Sequence, residues 1–180
     1  MPLSEPAPRE LLHNRDITLR GYKRGDGLFD VEATIQDTKA YQFTLSDRGT
    51  IEPGVPLHRM LARMTYDPAT MVVVAFEADT EHGPYALCPA AAPSFSSLAG
   101  LSIKPGFLRA ANERVGGTHG CTHLRELLQQ MATVAMQSTA GQRRPERPPG
   151  TRPGVIDTCL AWAADGPVVE RSFPEFYTGS

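Results

Sequence analysis

The chain has 180 residues, of which 41% are hydrophobic and three are cysteines, and its formal net charge at pH 7 is −2. This length suits one globular domain with its own core. The near-neutral charge argues against a nucleic-acid-binding protein. The odd, low number of cysteines argues against a disulfide framework. Because the longest apolar run, residues 71–76, is far shorter than the ~20 residues of a membrane-spanning helix, and the N-terminus lacks the apolar centre of a secretory signal, we expect a cytoplasmic protein that does not enter a membrane.

The first half of the chain is predicted to form strands. Residues 1–14 contain three prolines and several charges, and we interpret them as a flexible arm. After a glycine-rich turn near Gly25, apolar and polar residues alternate strictly, which puts four apolar residues on one face: Phe29, Val31, Ala33 and Ile35. This pattern predicts a β-hairpin with one solvent-exposed face, and residues 41–45 continue the alternation as a third strand.

Residues 57–66 fit two patterns. Their apolar residues have helical spacing, but alternate residues from His58 onward also fit one face of a strand. The Asp67-Pro68 pair that follows predicts a turn, and residues 70–78 are apolar and β-branched, as strands are. Since a strand, a turn and a strand make a hairpin, we interpret residues 57–66 as a strand.

Helices are predicted for the second half of the domain. Residues 89–101 are rich in small side chains and predict a short helix or an irregular loop, and residues 104–115 predict a helix that begins near a proline. The strongest helical pattern covers residues 122–138, where leucines recur at helical spacing. Strands therefore precede helices, which predicts an α+β fold with a mostly antiparallel sheet and helices packed on one face, in a single domain over residues 15–140.

The remaining residues are predicted to be less regular. Residues 141–154 are rich in proline and arginine and contain no apolar side chain, so we expect an exposed loop. Residues 155–180 mix apolar and polar residues. We predict that they form a helical turn and a strand that dock on the domain.

The stretch 116–124, GGTHGCTHL, is the first candidate site. Cys121 stands at the predicted start of the long helix, where the positive end of the helix dipole favours a thiolate, and the neighbouring His119 and His123 are available as bases or metal ligands. A structural interpretation fits equally well, because Thr122 can cap the helix while Cys121 packs as a small apolar residue.

Other candidate residues lie far from this stretch. Cys88 follows an apolar strand and His58 begins another, although each of them taken alone is more often a structural residue. Another candidate group is acidic and includes Lys39 beside four carboxylates, Asp26, Asp30, Glu32 and Asp37. Of these, Asp30 and Glu32 share the polar face of a predicted strand. Paired carboxylates can perform acid–base chemistry or hold a hard cation, but such a face is more often simply solvated.

Several motifs in the same order resemble a bacterial family of unknown function. These motifs are DGLFDVEATIQDTKAY, GVPLHRMLARMTYD, LAGLSIKPGF and GGTHGCTHLRELL, and the likeness runs from about Arg20 to Gln137. The family carries no established activity. The resemblance therefore predicts a shared fold without naming a reaction.

Residues 54–67, 71–103 and 121–136 are similar, more distantly, to the NifU-like iron–sulfur scaffold proteins. The resemblance implies the scaffold fold, with zinc or iron held at the positions of three scaffold cysteines and one added candidate: His58, Cys88, Cys121 and His123. The sequence departs from the scaffold pattern at two points. A histidine replaces the first cysteine, and Arg59 stands near the place where the scaffolds carry an aspartate.

Three functions follow from these observations. The first is a protein that binds a zinc or iron ion at the histidine and cysteine positions implied by the scaffold resemblance. The second is a small enzyme acting on a small molecule, with Cys121 as nucleophile or metal ligand, His123 as base, and Asp30 and Glu32 as aids. The third is a non-catalytic module that forms homo-oligomers or binds a partner through its apolar strands and the arginine-rich loop 143–152.

Overall fold

The computed structural model describes residues 3–142 and 148–179, and the chain divides into two compact units, Met1–Arg143 and Arg144–Ser180. The first unit contains six strands: β1 (His13–Lys23), β2 (Phe29–Lys39), β3 (Phe43–Leu45), β4 (Gly49–Ile51), β5 (Pro56–Asp67) and β6 (Val72–His82). It also contains 3₁₀ helices over Cys88–Leu98 and Gly117–His119, and the α-helices α1 (Phe107–Val115) and α2 (Thr122–Thr139). The second unit contains the short helix α3 (Pro167–Ser172) between 3₁₀ turns at Leu160–Trp162 and Pro174–Phe176.

Four strands form one antiparallel sheet in the order β1-β2-β5-β6. This arrangement, with helices in the second half of the unit, confirms the predicted α+β class. The predicted third strand is confirmed over Phe43–Leu45 as β3, but this strand does not join the four-stranded sheet. The short strand β3 pairs instead with β4 in a separate two-stranded hairpin, because its alternation specifies a strand but not the partner with which it pairs.

The inward face of the sheet follows the alternation that the sequence predicts. In β2 every second residue from Phe29 to Asp37 is buried, and the residues between them are half-buried. In β5 the buried positions include Met60, Ala62, Met64 and Tyr66. Residues 57–66 therefore form a strand and not a helix. Pairing with both β2 and β6 satisfies the backbone hydrogen-bonding groups, while alternate side chains enter the core.

Helix α2 covers this inward face and contributes six buried residues at helical spacing: Leu124, Leu127, Leu128, Met131, Ala135 and Thr139. The Tyr66 hydroxyl donates to the carbonyl oxygen of Ala135 at 3.0 Å, which ties β5 to the C-terminal half of α2. At Gly21 on β1, a Cβ atom would lie 2.0 Å from Oγ of Ser138. Glycine at this position therefore allows α2 to approach the first strand closely.

The pairing of β2 with β5 contains one irregularity. His58 pairs with Asp37, but the next pair joins Pro56 to Thr38, so Leu57 is an extra residue on β5. This is a β-bulge, which bends the strand while leaving the pairing beyond it in register. It lies at the end of the sheet where β1 begins, β2 ends and β5 begins.

The second unit differs from its prediction in one respect. The described residues 148–179 contain helical turns and α3 but form no strand, so the predicted C-terminal strand is wrong. Residues 143–147 of the arginine-rich loop lie outside the described residues. The predicted division into arm, domain, loop and docked segment stays a prediction, although β1 begins at His13, inside the arm that we predicted. Within the described ranges, every helix is too short or too polar to cross a bilayer.

Candidate functional site

A buried carboxylate lies at the bulged end of the sheet. Because the inward alternation of β2 continues one step beyond Ile35, it turns the side chain of Asp37 toward α2, and Asp37 is 0% exposed. Its neighbours on the two adjoining strands are Arg15 and His58, which lie opposite it in the strand registers. A buried charge needs partners, and both neighbours supply them.

Asp37 accepts hydrogen bonds through both carboxylate oxygens. Arg15 binds it in a bidentate manner, with Nε 2.7 Å from Oδ1 and Nη2 2.8 Å from Oδ2. Nε2 of His13 lies 3.2 Å from Oδ1, and Nδ1 of His58 lies 3.0 Å from Oδ2. Burial alone opposes ionisation of Asp37, but the hydrogen bonds and charge of Arg15, together with the two histidines, outweigh it and hold the pKa of Asp37 below its ordinary value.

Helix α2 adds a second imidazole. The ring of His123 stacks on that of His58 with centroids 3.8 Å apart and planes tilted by 33°, and Nε2 of His123 lies 3.8 Å from Oδ2 of Asp37. Arg15 also reaches the helix, because its Nη1 donates to Oε2 of Glu126 at 2.5 Å. The cluster therefore joins the first, second and fifth strands to the N-terminal turns of α2.

Both stacked imidazoles favour their neutral form. Burial lowers the pKa of His58, and the neighbouring His123 lowers it further, in opposition to Asp37. Burial likewise lowers the pKa of His123, and the charge of Arg15 adds to this effect, while Asp37 and Glu126 oppose it. At neutral pH the two rings therefore carry free lone pairs, which is the form that binds metals or accepts protons.

Cys121 lies next to this pair at the N-terminus of α2. Its Sγ is 3.9 Å from Nδ1 of His123, so the imidazole of His123 faces the thiol with one nitrogen and Asp37 with the other. The preceding residue positions the loop: a Cβ atom at Gly120 would lie 2.3 Å from the carbonyl oxygen of Val115. Glycine therefore lets the chain fold back over the end of α1 before α2 begins.

His58, His123 and Cys121 line an open pocket of about 660 Å³ at the end of the sheet. Its wall includes all four residues implied by the scaffold resemblance, namely His58, Cys88, Cys121 and His123, together with His119. Cys88 begins the 3₁₀ helix that follows β6. The structure thus lines one pocket with candidate residues from three distant parts of the sequence.

A different set of potential metal ligands lies close together among the described residues. Asp37, His58 and His123 each offer one ligand atom, and these atoms all lie within 4.8 Å of one another. Neither Cys88 nor Cys121 belongs to that group. Two histidines and one carboxylate suit iron(II) or zinc, because imidazole binds both metals and three protein ligands leave positions open for water or substrate.

The family described as "Protein of unknown function (DUF2889)" matches residues 13–137. The chain belongs to this family. The matched DUF2889 region contains the four-stranded sheet, α1 and nearly all of α2, and therefore every residue of the cluster. No curated protein and no solved structure matches the chain.

The DUF2889 region keeps Asp30 and Glu32 away from the pocket. Asp30 accepts a hydrogen bond from Oγ1 of Thr65 at 2.7 Å, and Glu32 pairs with Nη2 of Arg63 at 2.9 Å. Both carboxylates are on the outward face of β2, opposite to the face that carries Asp37. The structure does not bring them together with Cys121 or His123.

Sequence reasoning placed Asp37 in an acidic group that is more often solvated, and it missed Arg15, the cation at the centre of the cluster. Asp37 continues the inward alternation of β2 by one residue, so the pattern that identifies the core face also indicates this buried acid. Arg15 and His13 carry a weaker signal, because only the pairing of β1 with β2 brings them to Asp37. A charged residue at an inward position of a strand is the general sign of such a site.

Proposed function

We propose that this protein binds one zinc or iron(II) ion at the floor of the pocket, through His58, His123 and Asp37. The observation that carries the proposal is the spacing of the ligand atoms. Oδ2 of Asp37 lies 3.0 Å from Nδ1 of His58 and 3.8 Å from Nε2 of His123. These distances bracket the separation of roughly 3.4 Å expected for two ligands on one tetrahedral ion with bonds of about 2.1 Å.

Three features of the cluster qualify how the ion is held. Arg15 already donates two hydrogen bonds to Asp37, so a metal shares this carboxylate with a cation and depends mainly on the two histidines for its affinity. Nδ1 of His58 also donates to Asp37 in the metal-free protein, so this nitrogen binds the ion only after its proton moves to Nε2. Because imidazole lone pairs lie in the plane of the ring, the stacked rings must turn apart for both nitrogens to reach one ion. Both rings border the open pocket, toward which they can turn.

The narrower part of the proposal is kinship with iron–sulfur scaffold proteins. What supports it is that His58, Cys88 and Cys121 line one pocket, which is what the resemblance requires of its ligand positions. Optical spectra of protein purified without oxygen test this part separately. Sulfide-bridged iron gives strong visible absorption, whereas a single zinc ion gives none.

Metal analysis with matched variants tests the proposal. Wild-type protein is expected to hold about one ion per chain, and His58→Ala and His123→Ala to lose affinity by roughly 100-fold, as removal of a ligand usually does. His119→Ala is the control, because His119 lines the same pocket but lies outside the ligand group. Cys88→Ser should retain the metal.

The outcomes separate the two ligand sets. Loss of metal in Cys88→Ser and Cys121→Ser would show that the ligands are the histidines and cysteines implied by the resemblance, and not the set that includes the carboxylate of Asp37. Wild-type protein that folds normally and takes up no metal from solutions of zinc or iron(II) would refute both sets.

A second candidate function is an enzyme with Cys121 as nucleophile, and the arrangement around His123 favours it. The thiol, the imidazole and the carboxylate of Asp37 follow one another at 3.9 and 3.8 Å. In thiol enzymes a base takes the proton of the nucleophile and a third group orients that base. Cys121, His123 and Asp37 are in the order that this mechanism needs.

Alkylation of metal-free protein by iodoacetamide tests the second candidate. If His123 activates the thiol, Cys121 should react roughly tenfold faster near neutral pH than Cys159, which is exposed and serves as an internal reference. His123→Gln should remove the difference. Peptide mapping by mass spectrometry measures both sites in one sample, and slower labelling of Cys121 than of Cys159 in the wild type would exclude the nucleophile.

A further inference from the structure

The pocket above the cluster has a mostly apolar wall. Met60 from β5, Pro84 and Leu87 from the segment after β6, and Ala91 from the 3₁₀ helix all line it. Its volume of about 660 Å³ lies within the range of roughly 300–1,000 Å³ that small-molecule sites occupy. A pocket of this size and lining accommodates the body of a small organic molecule.

Large apolar side chains also stand at the mouth of the pocket. Leu87 is 78% exposed and Tyr85 is 56% exposed, and both belong to the pocket wall. Leaving such side chains in water costs free energy that a bound apolar molecule would recover. The mouth and the wall therefore favour the same kind of ligand.

The charges around the pocket narrow the class of ligand. Within the described residues, no lysine, arginine, aspartate or glutamate lines the pocket. The charge of Asp37, which does not line the pocket, is balanced by Arg15. Sites for phosphorylated ligands use arginine, lysine or a bound cation, and metal-free protein offers none of these in the wall.

We propose that this pocket binds a small, uncharged and mostly apolar organic molecule, whose single polar group faces His58 and His123. The proposal rests on the proposed function for the chemistry at the floor, since either a metal ion or the thiol of Cys121 would act on that polar group. Binding of the molecule itself does not depend on the proposed function. The apolar body lies along Met60, Leu87 and Ala91.

A matched series of ligands tests the class. Metal-free protein is titrated by calorimetry with 1-octanol, octanoate and octyl phosphate, which share one apolar chain and differ in head group. Octanol is expected to bind most tightly, and octyl phosphate at least tenfold more weakly. From butanol to octanol the affinity should rise about two- to fourfold per methylene, because each buried methylene contributes up to ~0.8 kcal/mol.

Variants locate the binding. Ala91→Phe fills the pocket and should weaken octanol binding at least tenfold, and Leu87→Ser at the exposed mouth should weaken it severalfold without affecting the fold. Ala132→Phe is the matched control, because Ala132 is a half-buried alanine of α2 that lines a separate groove. Its octanol affinity should equal that of the wild type.

The results separate this proposal from the metal proposal. Tighter binding of octyl phosphate than of octanol, unchanged octanol binding in both Ala91→Phe and Leu87→Ser, or no saturable binding of any alcohol would overturn the ligand class. Metal uptake is measured on the same preparations. If the protein binds octanol but takes up no metal, only the proposed metal site is refuted. If it takes up metal but does not bind octanol, only the proposed ligand class is refuted.

Discussion

Replacing Asp37 with alanine is expected to lower the free energy of unfolding by about 3–5 kcal/mol, the loss typical of removing one partner from a buried ion pair. The carboxylate is fully buried, and it accepts hydrogen bonds from Arg15, His13 and His58. Its removal leaves the guanidinium and two ring nitrogens without their acceptor beneath the pocket. Urea unfolding of metal-free protein at neutral pH measures the change.

Two further variants show whether charge or shape is responsible. Asp37→Asn keeps the volume of the side chain but loses the charge, so we expect a loss of about 2 kcal/mol or more. Asp26→Ala is the control, because it removes an exposed carboxylate whose Oδ2 pairs with Arg24 at 2.6 Å, and exposed pairs contribute little to stability. Equal, small effects of Asp37→Ala and Asp26→Ala would show that the cluster is not a stabilising network.

The stability of metal-free protein is expected to fall as the pH drops from about 7 to about 5. The pKa values of both His58 and His123 are lowered in the folded state. The unfolded chain therefore binds more protons once the pH falls below about 6.5, the ordinary pKa of histidine. Stability is fully present above that value and decreases at lower pH, by at most ~1.4 kcal/mol per pH unit for each histidine.

Asp37 adds a second loss at lower pH. Its pKa is lowered in the folded state, so the stability that its ionised form provides is present above about pH 4 and decreases as the carboxylate is protonated. Urea unfolding at a series of pH values, with a chelator present, measures both steps. His123→Gln should reduce the slope of the first step, whereas His119→Gln, at an exposed position outside the stacked pair, should not. A stability that is flat from about pH 7 to about pH 5 would contradict the proposed burial of the two rings.

The main strands and the long helix could be predicted because their signals are local. Burial of one face imposes a period of two on β2 and β5, and the same core imposes a period of 3.6 on α2. The pairing of β3 with β4 could not be predicted in this way. Its alternation resembles that of the strand before it, and the choice of partner depends on how far the intervening loop reaches.

The site could be predicted only in part. His58 and His123 were identified, but the prediction grouped them with two thiols, because the resemblance to the scaffold proteins carries cysteine positions. Asp37 belongs to the acidic group in the sequence analysis, and the geometry adds its contacts with the two histidines. Its inward position is readable from β2, yet its importance depends on two partners from other elements. Arg15 reaches it through the pairing of β1 with β2, and His123 reaches it only after α2 packs against the sheet.

The extra residue Leu57 has a consequence for how this family can vary. A strand that shifts by one residue turns every side chain to its opposite face, and such a shift would carry His58 away from Asp37. The bulge lies between the His58–Asp37 pair and the loop before β5. A residue gained or lost within residues 52–55 can therefore be accommodated at the bulge without shifting this pair. Changes of loop length upstream are therefore compatible with an unaltered imidazole–carboxylate contact.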